Sequence, residues 1–416
     1  MAVAALDLLA RTDEIGNNLV MSTTNPPYFD KSVGATVHAS VGGSRNLRVS
    51  DMHGLRSGAT GLWHALQGGG TVVAGEVRMA APGSQDELLN GDAAAAITCD
   101  SSKVAARLIA SSSITEEVLD RWRLSTDEYG TNWDERFTME ILGDAIKSVA
   151  EEVMRLAGLD RVDTVVVACP NARAAQMARK QLGGSGADAE TESSLGHTGA
   201  AHVLLLFADA LDRAAPGDTI LVVNASDGAD AFIFEATNDI GSARRSPTVR
   251  EQIEAMTPIT YERFLRWRGV LDFRGPNRPE PDAPASPPMF RRASWKYALT
   301  GVRCEKCGTV TAPPSRVCPS CAEVDSGVAV SLRDKPATVV TMTVDWLSPT
   351  PSPPVVLAIV DVDGGGRRSA ETADLKEEGL EIGDRVVPTF RLINSGGGIR
   401  NYFWKVRPLR PWEVGL

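Results

Sequence analysis

Residues 200–228, AAHVLLLFADALDRAAPGDTILVVNASDG, decide the fold. Apolar residues at helical spacing fill the first half. Pro216, Gly217 and Asp218 then break the pattern, and the apolar run Ile220–Val223 has the length of a buried strand. The same order of small-residue helix, turn and buried strand occurs earlier, in GATGLWHALQGGGTVVAGE at 58–76. Around these two copies, NNLVMSTT and DTVVVACPN read as strands and ILGDAIKSVAEEVMRLAGL as a helix. An α/β fold with an internal duplication of halves is therefore expected over residues 1–240.

The chain has 416 residues, 43% apolar and 23% charged, which leaves room for two or three domains with sizeable cores. A net charge of −10 gives no general attraction to nucleic acid or to an anionic membrane. No uncharged apolar run is long enough to span a bilayer. The opening MAVAALDLLARTDEIG carries acidic residues where a secretory signal carries basic ones, so a cytoplasmic protein is expected.

Four of the six cysteines fall in CEKCGTVTAPPSRVCPSC, as the pairs Cys304/Cys307 and Cys318/Cys321. Two CxxC knuckles at this separation suit a closed tetrahedral Zn²⁺ site, which leaves no position for a substrate and holds a small module together. A redox dithiol pair and a rubredoxin-type iron site are the alternatives. Before the knuckles, PNRPEPDAPASPP at 276–288 reads as an extended linker. After them, ATVVTMTVDWL, PPVVLAIVDVDG, DRVVPTFRLI and NYFWKVRPL read as strands of a small OB-like antiparallel barrel. From residue 327 onward 11 basic residues face 11 acidic ones, which disfavours a nucleic-acid groove. The expected layout is an α/β domain at 1–240, a helical segment and linker at 241–288, a zinc ribbon at 289–326 and a barrel at 327–416.

The ordered motifs STTNPPYF, DMHGLRSGATGLWHAL, TVVAGE, NGDAAAAITC, VVVACPNARAAQMARKQLG, SLGHTGAAH and LVVNASDGADAFIFEA resemble the thiolase superfamily, in particular its hydroxymethylglutaryl-CoA synthase-like and ketoacyl synthase III-like members. The C-terminal CxxCG and PxxxCPxC pattern with its barrel resembles the zinc-ribbon and OB-fold proteins that accompany such enzymes on acyl-CoA substrates. The resemblance implies a duplicated five-layered α/β fold, a homodimer, a CoA thioester as substrate or ligand, and a thiolase-type partner subunit. Family members begin with a strand and helix ahead of the segment matching residues 1–16. The lack of these implies a start at an internal methionine or a sheet completed by another chain.

The resemblance also locates departures. The nucleophilic cysteine of a condensing enzyme would stand at Leu55, Arg56 or Ser57. The synthase histidine would stand at Ala168, ahead of Cys169, Pro170 and Asn171, and the synthase glutamate near Thr23. Cys99 and Cys169, at strand ends, read as small buried residues. In SLGHTGAAH, His197 takes the place of the family's asparagine. It keeps a hydrogen-bond donor and adds a group that titrates near neutrality, while packing is the bland alternative. His202 lies five positions on, off the same helical face, and reads as structural, as do His38 and His64.

Three readings follow. In the first, an aldol or retro-aldol reaction on a CoA thioester uses His197 as base or oxyanion donor, with Asn171 and the backbone of Arg56–Gly58 positioning the carbonyl and Tyr28 as a further candidate acid. In the second, Ser57 is an acyl-transfer nucleophile with His197 as its base. In the third, the chain is a non-catalytic acyl-CoA-binding subunit. Asn224 and Gly228 in NASDGAD are candidates to line the acyl site, and Arg244 or Arg245 to meet a CoA phosphate.

Overall fold

A computed structural model describes residues 1–10, 15–100, 103–183, 188–244, 246–271, 275, 282–376 and 379–414. Two compact units emerge, Met1–Ala35 with Arg45–Met256, and Thr36–Ser44 with Thr257–Leu416.

The first half of the first unit contains α1 (Ala2–Ala10), β1 (Asn18–Thr23), the start of α2 (Val33–Ser40), whose residues from Thr36 belong to the second unit, β2 (Arg48–His53), α3 (Ser57–Gly68), β3 (Gly70–Glu76), α4 (Gln85–Leu89) and β4 (Ala93–Cys99). The second contains β5 (Ala106–Thr115), the short pair β6 (Arg121–Trp122) and β7 (Thr131–Asn132), α5 (Glu135–Ala157), β8 (Thr164–Ala168), α6 (Ala172–Leu182), α7 (Asp188–Leu195), α8 (His202–Arg213), β9 (Thr219–Ala225) and β10 (Gly228–Ala236). Local sequence sets the helix ends. Asp134 accepts from the N–H groups of Arg136 and Phe137 at the start of α5, and Gly158, at φ 67°, ends that helix in the left-handed region.

The duplication is visible in the sheets. In the order β2-β1-β3-β4, β1 runs parallel to β3 and β4 returns antiparallel. In the order β5-β10-β9-β8, β8 runs parallel to β9 and β10 returns antiparallel. Helices α3 and α8, each leading into a central strand, lie between the sheets. Ala59 and Leu62 of α3 and Leu204 and Phe207 of α8 share one core with Val72 and Ala74 of β3 and Ile220 and Val222 of β9. The alternate residues Leu221 and Val223 turn to the other face, against α5 and α6. On the far side of the first sheet α1 packs on β3 and β4. The result is the five-layered arrangement implied by the resemblance. Full burial of each large apolar side chain contributes about 1.5–3 kcal/mol.

The unit continues to Met256 rather than stopping at 240, because the helix Val249–Glu254 packs on α8 and the Val249 N–H donates to Asp212 Oδ2 at 2.9 Å. Residues 276–281 of the expected linker lie outside the described residues, and a helical turn, Ser286–Arg291, begins before its end.

In the second unit β11 (Thr300–Cys304), β12 (Val310–Thr311) and β13 (Gly327–Ser331) form the ribbon, in the order β12-β11-β13. Its third strand thus starts just past the expected 326/327 boundary. The barrel strands β14 (Ala337–Asp345), β15 (Val355–Val362), β16 (Arg367–Glu371), β17 (Arg385–Gly396) and β18 (Ile399–Pro408) follow in the antiparallel order β16-β15-β14-β17-β18. A bridge from Thr372 to Val406 joins the two outer strands, around Val339, Ala358, Val360, Val386, Trp404 and Val406. Among the described residues no helix is long and apolar enough to cross a membrane.

Candidate functional site

The turn Gly196–Gly199 between α7 and α8 is buried from His197 onward and tied down on both sides. The His197 N–H donates to Leu89 O at 2.7 Å, and His197 O accepts from the Gly91 N–H at 3.2 Å. Gly199, at φ +57°, lies so close to Glu76 that a Cβ there would meet the carboxyl carbon at 2.8 Å. The first turn of α3 abuts the same segment, since a Cβ on Gly58 would fall 2.0 Å from Ala200 O.

The hydrogen bonds of His197 define its chemistry. Nδ1 accepts from the Gly199 N–H at 3.3 Å, so in the neutral ring the proton sits on Nε2. Burial, then the charges of His202, Arg78 and Arg121, push its pKa well below the ordinary histidine value. The arrangement is a buried neutral imidazole with one N–H to donate.

The five-residue spacing does not keep the two histidines apart. His197 precedes α8, so helical geometry does not apply to it, and the two rings lie 4.4 Å apart between centroids. His202 Nδ1 accepts from the Thr198 N–H at 3.3 Å, and Nε2 faces Glu192 Oε1 at 3.6 Å. Glu192 in turn pairs with Arg179, which also binds Asp188 Oδ2 at 2.6 Å and Val167 O at 2.9 Å. A buried polar chain thus runs from β8 to the His197 turn.

The other sequence candidates are placed as follows. Arg56 precedes α3 with its side chain committed to Asp230, by Nε to Oδ2 at 2.8 Å and Nη2 to Oδ1 at 2.9 Å, and to Asp227 O at 2.6 Å. The Ser57 hydroxyl donates to Gly54 O at 2.7 Å. Asn171 caps α6, accepting from the Ala174 N–H at 3.0 Å and donating to Glu135 O at 3.1 Å. Asn224 lies one residue before the end of β9, beside Ala168, its buried Nδ2 without a hydrogen-bond partner. Gly228, at φ +101°, permits close passage of β5, where a Cβ would meet Ile114 O at 2.1 Å. Tyr28 lies with Lys31 Nζ 6.0 Å from its ring centre. Arg244 donates to Ala214 O, and Arg245 lies outside the described residues. His64 is exposed and His38 Nε2 meets Ser44 O at 2.9 Å. Burial pushes the thiols of Cys99 and Cys169 up to about 12.

Two groups escaped the sequence reading. Glu76, at the end of β3 and fully buried, accepts from the Thr24 N–H and from Thr24 Oγ1 at 2.7 Å. Burial raises its pKa against those hydrogen bonds. Arg78 donates to the same Thr24 Oγ1 at 3.0 Å. A carboxylate closing an otherwise apolar strand, TVVAGE, was the available signal.

In the second unit the Sγ atoms of Cys304, Cys307, Cys318 and Cys321 lie within 4.8 Å of one another, with Cys304–Cys321 at 3.7 Å and Cys307–Cys318 at 3.5 Å. Tetrahedral Zn–S bonds of about 2.3 Å require S···S separations of about 3.8 Å, so the four thiolates fit the ion. The backbone N–H of Cys307, then the Ser326 hydroxyl, draws Cys304 down to about 6, while burial and the neighbouring thiols push Cys321 up to about 12.

Residues 296–325 match the family described as ChsH2, rubredoxin-like zinc ribbon domain. A DUF35 domain-containing scaffold protein of Methanocaldococcus jannaschii is 33% identical over 125 residues, 29% of this chain and 88% of the relative. The hydroxymethylglutaryl-CoA synthase of Methanopyrus kandleri is 27% identical over 293 residues, 65% of this chain and 83% of the relative. The chain belongs to the DUF35 family, fused behind a hydroxymethylglutaryl-CoA synthase-like thiolase fold. Solved structures agree on that fold. MvaS in complex with 3-hydroxy-3-methylglutaryl coenzyme A matches with TM-score 0.55 at 18% identity over 68% of this chain and 82% of that one. The HMG synthase of the curacin pathway, in complex with an acetyl donor ACP, matches with TM-score 0.56 at 13% identity over 64% of this chain and 75% of that one. Within this thiolase-like DUF35 fusion protein, Leu55–Ser57 lead into α3 and His197 lies in the turn before α8.

Proposed function

We propose that this protein binds a CoA thioester and makes or breaks a carbon–carbon bond of aldol type beside the thioester carbonyl, without a cysteine nucleophile. The observation that carries this reading is His197, a buried neutral imidazole whose Nδ1 is occupied by Gly199 and whose Nε2–H is the group left to donate. This favours an oxyanion donor over a base. In the retro-aldol direction the β-hydroxyl proton passes to water, the Cα–Cβ bond breaks to a carbonyl product and a thioester enolate, and water returns a proton to Cα. The Nε2–H hydrogen bond strengthens as charge gathers on the enolate oxygen. No acyl-enzyme forms. The CoA ligand of the MvaS complex and the names of the synthase relatives support the substrate class. The zinc supplies rigidity to the ribbon rather than chemistry, because four thiolates close its coordination.

A second reading, a non-catalytic acyl-CoA-binding subunit, is favoured by the commitment of the Ser57 hydroxyl to Gly54 and of both ends of the Asn171 amide to helix termini. The word scaffold in the name of the DUF35 relative supports a part in which the ribbon and barrel hold a thiolase-type partner beside a homodimer. Native mass spectrometry with short, branched and steroid-like acyl-CoA thioesters separates these readings. Product masses are expected, with His197→Ala lowering turnover about 10²–10³-fold and His197→Asn by less. Bound thioester without product assigns the binding subunit, and a covalent acyl adduct overturns both.

A further inference from the structure

The carboxylates around the His197 turn are of two kinds. Asp86 contacts Arg121 at 2.9 Å, Asp230 contacts Arg56 at 2.8 Å, and Asp188 and Glu192 both contact Arg179. Direct pairing of this sort favours the ionised form. Glu76 is held differently. It is fully buried at the end of β3, and its oxygens accept from the Thr24 N–H and, at 2.7 Å, from Thr24 Oγ1. The charge of Arg78 offsets it by way of the same hydroxyl, with Nη1 donating to Thr24 Oγ1 at 3.0 Å. Arg123 Nη2 fixes Thr24 in turn, donating to its carbonyl at 3.0 Å.

Thr24 is half-buried just past the carboxyl end of β1, the edge at which open α/β sheets take their ligands, and Glu76 lies behind it. Because Thr24 Oγ1 accepts from Arg78 and donates to Glu76, a proton arriving at that oxygen has one way onward, to the carboxylate. Glu76 also packs under Gly199, whose N–H holds His197 Nδ1, so one turn sets both groups. The groups facing its carboxyl are Thr23, Thr24, Arg78 and this turn with its neutral imidazole. Burial raises its proton affinity above the ordinary carboxylate range. His197 has the opposite bias, since burial keeps its ring neutral and its Nε2–H donates. One group suits the charge that forms on the enolate oxygen, the other the proton that the step releases.

We propose that the Glu76–Thr24 pair is the proton store of the carbon–carbon step. Water carrying the proton of the β-hydroxyl hands it to Thr24 Oγ1 as the threonine's own proton passes to Glu76 Oε2. The electron pair of the Cα–Cβ bond moves into the enolate. The reverse passage then returns the proton through water to Cα and leaves Glu76 ionised again. The inference rests on the aldol reading above, and adds to it a positioning residue and a proton path.

Protonation at Cα, run backwards, exchanges the Cα hydrogens of a bound thioester with solvent. Mass spectrometry of butyryl-CoA incubated in D2O with the full-length zinc-loaded protein, from pH 5 to 8, reads that exchange, and titration calorimetry reads binding. Exchange in the unaltered protein should fall toward low pH, where Glu76 already holds a proton. Glu76→Gln keeps an acceptor for Thr24 but cannot take the proton. It should slow exchange about 10²-fold or more and abolish the acid limb, while the affinity for butyryl-CoA changes by less than about threefold. Thr24→Val should slow exchange to a similar extent, with Thr24→Ser recovering most of the loss, which keeps the test decisive should Glu76→Gln fail to fold. Slow exchange in Glu76→Gln with the acid limb unmoved overturns the store, because the carboxylate would then act through shape alone. Unchanged exchange in Glu76→Gln or in Thr24→Val also overturns it, and leaves the aldol reading standing. Binding without exchange in the unaltered protein overturns the aldol reading and the store together, and absence of binding removes the CoA-thioester reading as well.

Discussion

The zinc knuckles and the His197 turn are both small polar clusters closed by glycine-rich turns, yet they are built on opposite plans. All four thiols of the ribbon come from residues 304–321, and a short hairpin brings them together. The His197 cluster draws on Thr24 just past β1, β3 at Glu76, the Leu89–Gly91 segment, Arg179 on α6 and Glu192 on α7. One cluster depends on an ion for its stability, the other on the folded core around it. The comparison predicts how each fails.

The largest effect is expected at the ribbon. Zinc binding to such sites supplies on the order of 10 kcal/mol of folding free energy. Cys304→Ser, or prolonged chelation, should take the metal content from one zinc per chain to none and abolish hydrogen-exchange protection in β11–β13. Retained protection in the metal-free chain would show that the ribbon holds itself together like the histidine cluster.

Next is the carboxylate that joins the histidine cluster to its surroundings. Burial works against ionisation of Glu192, but His202 and Arg179 hold its pKa below the usual carboxylate range. Glu192→Ala leaves Arg179 with Asp188 as its one carboxylate, beside Val167 O, and removes the carboxylate that His202 Nε2 faces. A cost of about 3–5 kcal/mol is expected, read as a fall in urea midpoint, with Glu192→Gln recovering part of it. A loss under about 1 kcal/mol would mean that the chain from β8 to the turn is solvated and dispensable.

The same contrast explains what could be read from the sequence. The strands and helices of the duplicated halves were legible because apolar runs such as Ile220–Val223 report burial locally, and the zinc site because its ligand spacing is itself the geometry. Glu76 was not legible. Its partner Thr24 is brought to it by the parallel register of β1 and β3, in which Ser22 faces Ala74. Arg56 was singled out for its backbone, whereas its side chain reaches Asp230 on β10, a contact that only the stacking of the two sheets around α3 creates. His202 was set apart from His197 by helical spacing, and the non-helical turn before α8 brought them together.

A smaller effect sharpens the electrostatic half of the comparison. Burial lowers the His197 pKa in the folded chain, so below the ordinary value of about 6.5 the unfolded chain binds more protons than the folded one. The stability due to the neutral ring is therefore fully present above that pH and is lost as pH falls below it. The urea stability of the unaltered protein relative to His197→Asn should stay constant from pH 8 to 7 and then fall toward pH 5, by at most about 1.4 kcal/mol per pH unit. A flat difference across that range would place the imidazole in water.

The smallest effects should come from the residues that stand nearest to where a nucleophile is expected. The Ser57 hydroxyl is held by Gly54 O at the start of α3, and burial keeps the Cys169 thiol protonated near neutral pH. Ser57→Ala removes one hydrogen bond, worth about 0.5–1.5 kcal/mol of stability, and Cys169→Ala trims a sulfur from a packed core. Neither change touches the His197 Nε2–H, so turnover should fall by no more than about threefold in either variant, a change of about 0.6 kcal/mol in barrier. A fall of about a hundredfold in Ser57→Ala, with His197 unaltered, would make the serine the attacking group and the histidine its base. The cluster would then be an acyl-transfer site, and the exclusion of a covalent intermediate would fail at Ser57.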